Sequence, residues 1–235
     1  MAVEAEWVEV GEGTSELGCE VRPKAVLRVV EGLAQFLERF RKLFGRRENG
    51  EHAERYIKGR LKENGRRTTE PIARGSKVPR RPLQQFVGAG PWEDEPVRRE
   101  MRQEIAGGLG DPEGALVVDG SGFRKYGPHS VCVARQYCGR LGKVENCQVG
   151  EFLAYATAKG TALVDAELYL PRAWARDRVR RAAAGVPRGV RFQEGWRIAL
   201  KELARCGPEL PHAWVLGDDN YGRVIAFRDA LNKSG

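Results

Sequence analysis

The chain has 235 residues, 41% of them apolar, which suits a packed core in one large or two small domains and excludes a disordered polypeptide. No stretch approaches the roughly 18 apolar residues of a membrane helix, the first residues lack the apolar core of a secretory signal, and five cysteines follow no framework spacing. The formal net charge of +8 favours a polyanionic partner over the plainer reading of a basic protein without one.

The charge is unevenly placed. Met1 to Glu20 holds six acids and no base, and segment 1–20 is expected to be disordered. Arg39 to Pro82 holds fifteen Lys/Arg against five Glu. Such a run neutralises phosphates, or it is a solvated helix face, as the interleaved Glu51, Glu54 and Glu63 would suit. Val26, Val29, Leu33, Phe36, Phe40 and Leu43 recur at steps of three and four and predict a helix with one apolar face. Ala53, Ile57 and Leu61 predict a second helix, stopped at Asn64-Gly65. Pro82 to Val87 predicts a short helix with proline in its first turn, entered through Arg80 and Arg81. After two longer helices it reads either as the reader of a helix-turn-helix or as an ordinary helical corner. Val97, Met101 and Ile105 mark one more helix before Gly107-Gly108 and Asp111-Pro112.

Strand-like text follows. Ala115 to Val118 reads as a compact buried strand, and His129 to Ala134 as another. Cys147 to Tyr155 alternates with both faces covered, Lys159-Gly160 turns the chain, and Ala162 to Leu170 returns. Trp174 to Ala184 is a charged helical stretch. Trp196, Ala199, Leu200 and Leu203 predict a helix packed on the sheet, and Ala213 to Leu216 a last strand. Consecutive antiparallel strands and a helical crossover make an α/β (α+β) fold with a mixed sheet in ribonuclease-H-like order. The expected organisation is a helical basic domain over 21–110 and a ribonuclease-H-like domain over 111–235. Cys19, Cys132, Cys138, Cys147 and Cys206 read as reduced thiols. Cys132, Cys138 and Cys147 with His129 fit no usual zinc spacing, so core packing is favoured.

Two aspartates carry the candidate chemistry. Asp119 closes the run Ala115 to Val118, and Asp218 closes Ala213 to Gly217. Two buried strands that each present a carboxylate at the C-terminal end can share a metal site. Phosphodiester cleavage needs such a site, because paired divalent ions neutralise the target, activate the attacking oxygen and stabilise the leaving one. Mg2+ takes hard oxygen ligands and keeps several waters, so two or three carboxylates suffice. A turn aspartate before glycine is also common, so the pair alone is a weak signal.

The surrounding text is more specific. Val118-Asp119-Gly120-Ser121-Gly122-Phe123-Arg124-Lys125 resembles the first-aspartate motif of insertion-sequence DDE transposases. His129 to Gly150, Leu168-Tyr169-Leu170-Pro171, Ala184-Gly185-Val186-Pro187 and Trp214 to Asp218 with Tyr221-Gly222 are similar, in order and spacing, to one bacterial, 701-type branch. The similarity covers nearly all of 111–235. Pro79 to Phe86 and Pro91-Trp92 resemble the family's N-terminal region more loosely.

The resemblance makes the helical basic domain over 21–110 a DNA-binding domain. It implies an incomplete ribonuclease-H-like catalytic domain, Mg2+ (or Mn2+) in a two-ion site, and nicking and rejoining of transposon ends in double-stranded DNA. It implies a soluble, cytoplasmic, nucleoid-associated protein, with a homodimer as a possible assembly. Asp119 matches the first catalytic and metal-binding aspartate and Asp218 the second, with Asp219 as the neighbour open to confusion. The family's third acid lies well beyond the second aspartate, whereas residue 235 comes 17 positions after Asp218. Glu145 and Glu151 precede Asp218 and do not match that position. The expectation is a C-terminally truncated member that binds DNA and catalyses little alone; the alternative is a non-catalytic DNA-binding remnant or repressor. Arg124, Lys125, Arg135, Arg140 and Lys143, with Arg80 and Arg81, are the candidates for DNA backbone contacts, or else a solvated rim. Asn146 and Gln148 fall on one strand face, either supporting the metal ligands or serving structural hydrogen bonds.

Overall fold

The computed structural model describes residues 23–62, 65 and 67–234. The acidic segment 1–20, Cys19 and the Asn64 stop signal lie outside the described residues. The polypeptide divides into two compact units, up to Val97 and from Arg98.

The first unit is helical. Helix α1 (Pro23–Arg41) runs into a 3-10 turn, Lys42–Phe44, and is followed by α2 (Arg47–Lys62), α3 (Thr69–Gly75) and α4 (Arg80–Ala89). Leu37, Phe40 and Phe44 are buried, and Phe44 packs edge-on against Phe86 and Trp92, which stack on each other. The buried face of α2 differs from the one expected. Leu61 is 64% exposed, while Gly50, Ala53 and Gly59 are buried. A Cβ on Gly59 would stand 2.3 Å from Ile72 Cγ2, so the absence of a side chain lets α3 approach. Helix α3 has no apolar period of its own, and it separates α2 from the short helix α4.

The second unit begins inside α5 (Asp94–Leu109) and carries the sheet. Its strands are β1 (Ala115–Arg124), β2 (Ala134–Cys138), β3 (Lys143–Thr157), β4 (Gly160–Leu168) and β5 (Trp214–Gly217). The long β3 pairs antiparallel with all of β1 along one edge. Its other edge is shared, β2 taking Lys143 to Cys147 and β4 taking Gly150 to Thr157. β5 adds to the free edge of β1 in parallel. The result is a five-stranded mixed sheet with flanking helices, the α/β architecture expected.

Two strand expectations need correction. β1 does not end at Val118: it continues through Asp119-Gly-Ser-Gly to Arg124, because β3 supplies a backbone partner at every position. Residues 129–133 are not a strand. Asn146 Nδ2 donates to Lys125 O (2.8 Å) and Gly127 O (3.2 Å), and Gln148 Nε2 donates to Val131 O. Those bonds satisfy backbone carbonyls of the β1–β2 connection in place of a ladder, so Asn146 and Gln148 serve structure and not the aspartates.

Between β4 and β5 lie α6 (Arg172–Arg176), α7 (Arg178–Ala183) and α8 (Gly195–Cys206), and after β5 come α9 (Asp219–Gly222) and α10 (Ile225–Ser234). The apolar stripe of α8, including Ala199, Leu203 and Cys206, closes on Leu116, Val118, Leu153, Tyr155 and Val164 of the sheet. Cys132, Cys138, Cys147 and Cys206 are free and buried, and burial pushes the Cys132 thiol up to about 11. Cys206 packs in the main core of the sheet-bearing unit and Cys132 in the smaller cluster around Trp174.

Candidate active site

The last parallel pair between β1 and β5 is Val118 with Gly217. The next residue on each chain is an aspartate, so Asp119 and Asp218 start from backbones roughly one strand spacing apart, about 4.8 Å. Asp119 thus lies inside β1, at the point where β5 stops, while Asp218 leaves the sheet. Both are exposed and line one cleft of about 480 Å³. Asp218 caps α9: its Oδ1 accepts from Asn220 N at 2.9 Å and its Oδ2 from Asn220 Nδ2 at 2.8 Å. The Asp119 carboxylate has no hydrogen bond or ion pair among the described residues. Asp219 lies in the first turn of α9, reaches toward Arg223 at 4.0 Å, and does not line the cleft.

A third carboxylate stands in the same cleft. Glu151 faces Gly120 across the β1–β3 ladder and is 6% exposed. Tyr221 of α9 donates its hydroxyl to Glu151 Oε2 at 2.5 Å. Burial holds the Glu151 carboxyl above its usual range, the Tyr221 hydrogen bond opposes this, and the charges of Asp119 and Asp218 add to the rise. Burial and the same carboxylate push the Tyr221 hydroxyl far up. Gly195 opens α8 beside this pair, and a Cβ there would lie 2.5 Å from Glu151 Oε1. Glu151 precedes Asp218 in the chain, so sequence order alone gives it no place in the set of acids. Its signal was an acid in a strand with both faces covered, where an unpaired charge is costly.

The basic candidates are dispersed. Arg140 lines the aspartate cleft and also, with Arg124 and Lys125, a neighbouring groove of about 380 Å³. Arg124 and Lys143 lean on Glu145, at 3.9 and 3.7 Å, which leaves less of their charge for a ligand. Glu145 is thereby held below the usual carboxylate range, first by the Asn146 backbone N–H and then by these cations. Arg135 is exposed on β2 opposite Asn146. In the helical unit, Arg80 and Arg81 are exposed in the first turn of α4, with Arg80 3.5 Å from Glu70.

No curated protein sequence matches the chain. The model of the DDE superfamily endonuclease family matches residues 39–235, most of both units. On that match the chain belongs to the DDE superfamily endonucleases and is a DDE transposase-type protein.

Proposed function

We propose that this chain binds transposon-end DNA and that Asp119 and Asp218 hold the divalent cation of a strand-cleaving and strand-joining site in a ribonuclease-H-like domain. The β1–β5 register carries the reading, since it delivers both carboxylates to one cleft. The donor set fits a hard cation such as Mg2+ or Mn2+: the ligands are carboxylate oxygens, and Asp119 has no competing partner among the described residues. A divalent cation bound there supplies positive charge against the phosphodiester and makes an attacking water more acidic.

The chain's own residues prepare the site. Asn220 fixes the direction of the Asp218 carboxylate through two hydrogen bonds. Tyr221 fixes Glu151 at the cleft wall. Arg140, at the rim, is placed to contact a phosphate. The helical unit, with Arg80 and Arg81 entering α4, serves as a DNA-binding domain in this reading. A cytoplasmic location goes with it, and no helix among the described residues is long and apolar enough to cross a membrane.

A non-catalytic DNA-binding protein is the second reading. The state of the third carboxylate favours it: Glu151 is 6% exposed and tied to the Tyr221 hydroxyl, so it is not free to join the two aspartates on a cation. Mg2+-dependent nicking of end-containing DNA separates the two. Cleavage by the wild-type chain that Asp119→Asn abolishes supports the first reading. DNA binding without cleavage supports the second, and no DNA binding removes both.

A further inference from the structure

The connection from β4 to α8 is the most basic stretch of the sheet-bearing unit. Between Pro171 and Arg191 it carries seven arginines and one acid, Asp177. That is seven of the unit's twenty-two Lys/Arg in twenty-one residues. Two of the arginines build the segment. Arg180 lies over the Trp174 ring at 3.9 Å and donates to Pro128 O at 2.6 Å. Arg181 donates to Pro187 O (3.0 Å) and Val190 O (2.5 Å). Asp177 caps α7 through the Arg180 backbone N–H, at 2.8 Å. Beneath them Trp174 and Leu170 pack on Cys132 and Val133, so the segment has a core of its own.

Arg176, Arg178, Arg188 and Arg191 are exposed and have no side-chain hydrogen bond or ion pair among the described residues. Several other exposed cations of this unit do have an acid, as Lys201 has Glu167 and Arg223 has Asp219. Arg178 and Arg188, with Arg181, wall a cavity of about 540 Å³. A solvated surface intersperses both signs, whereas unpaired guanidinium groups on a folded support repel one another until an anion arrives.

The register brings the two ends of this connection near the aspartates. β4 ends at Leu168 opposite Gly150, and Tyr169 N donates to Val149 O at 2.9 Å. At its other end Gly195 lines the cleft with Glu151, the residue opposite Gly120, and a Cβ on Gly195 would meet the Glu151 carboxylate. Both ends of the basic connection therefore sit within about one or two ladder positions of the Asp119 cleft.

We propose that the exposed face carrying Arg176, Arg178, Arg188 and Arg191 is a phosphate-backbone surface for duplex DNA that leads into the Asp119–Asp218 cleft. This rests on the DNA reading above and adds the surface. Its contacts are to phosphate, so it positions the duplex without reading sequence. Guanidinium suits the role through bidentate pairing with phosphate oxygens.

The test measures affinity of the full chain for a duplex across a salt series. Arg178→Gln/Arg188→Gln is expected to lower the magnitude of the salt slope by about two and to weaken binding on the order of tenfold or more, equally for all sequences. Lys201→Gln/Arg223→Gln removes two paired cations and is expected to change the slope much less. An unchanged slope in Arg178→Gln/Arg188→Gln, with wild type still binding, overturns the surface and leaves the DNA reading intact. A wild-type chain that binds no duplex overturns both. If the first pair fails to fold, Arg176→Gln/Arg191→Gln decides by the same slope.

Discussion

Glu151 and Glu202 are two buried acids with opposite provisions. Glu151 has Tyr221, and Tyr221→Phe strips that hydrogen bond while preserving the ring contact with Phe227. The expected loss is about 1–2 kcal/mol, read from the midpoint of urea unfolding. An unchanged midpoint would mean that the pair contributes nothing. Glu202 is fully buried on α8, and neither carboxylate oxygen has a hydrogen-bond partner. Burial, with the charges of Asp165, Glu151 and Glu167 against that of Arg205, pushes its carboxyl up to about 8. The folded state therefore holds this proton more tightly than the unfolded chain does. Stability is fully present below about pH 4.5 and is lost as pH rises through about 8. Glu202→Gln is expected to raise Tm by on the order of 5 °C at pH 8 and by much less at pH 5. Equal shifts at the two pH values would contradict a buried neutral carboxyl. The two aspartates were legible because each ends an apolar run. Glu151 was not, because only the β1–β3 register carries it to them.

Asp165 couples three elements of the sheet-bearing unit. On β4 its buried carboxylate accepts from Arg98 of α5 at 2.6 Å and from Arg205 Nη2 of α8 at 2.5 Å. The Ala166 backbone N–H adds a bond at 2.8 Å. Burial works against the charged form, yet the Arg205 hydrogen bond and the others outweigh it, so the carboxyl stays below its usual range. Asp165→Ala takes the carboxylate partner from two partly buried guanidinium groups and is expected to cost about 3 kcal/mol in urea unfolding. A cost below about 0.5 kcal/mol would show that the network is no more than a surface ion pair. The amphipathic helices and the long β3 and β4 were legible because their periods are strong and repeated. The extent of β1 was not, since Gly-Ser-Gly has no strand pattern and is held extended by its partner. Helix α3 was missed for a related reason: its place is set by Gly59 on α2, a contact that exists only after folding.

Across the whole molecule, positive charge is carried by both units. Residues 23–97 hold seventeen Lys/Arg against ten Asp/Glu, and residues 98–235 hold twenty-two against sixteen. The basic run of 39–82 stood out in the sequence, yet much of it is internally paired. Glu51 meets Arg47 and Arg55, Glu54 meets Lys58, and Glu70 lies near Arg74 and Arg80. The β4–α8 connection stood out less by count, but keeps four arginines unpaired among the described residues. Counterion release depends on how many phosphates are neutralised, wherever on the protein the cation sits. Arg80→Gln/Arg81→Gln is therefore expected to lower the salt slope by about one to two, less than a full two because Glu70 already screens Arg80. Combined with Arg178→Gln/Arg188→Gln, the slope changes should add, since the two pairs share no partner. If the second pair has no effect once the first is removed, the units do not engage the same duplex together. Affinity would then come from one unit at a time, and the basic surface of the other would need a different explanation.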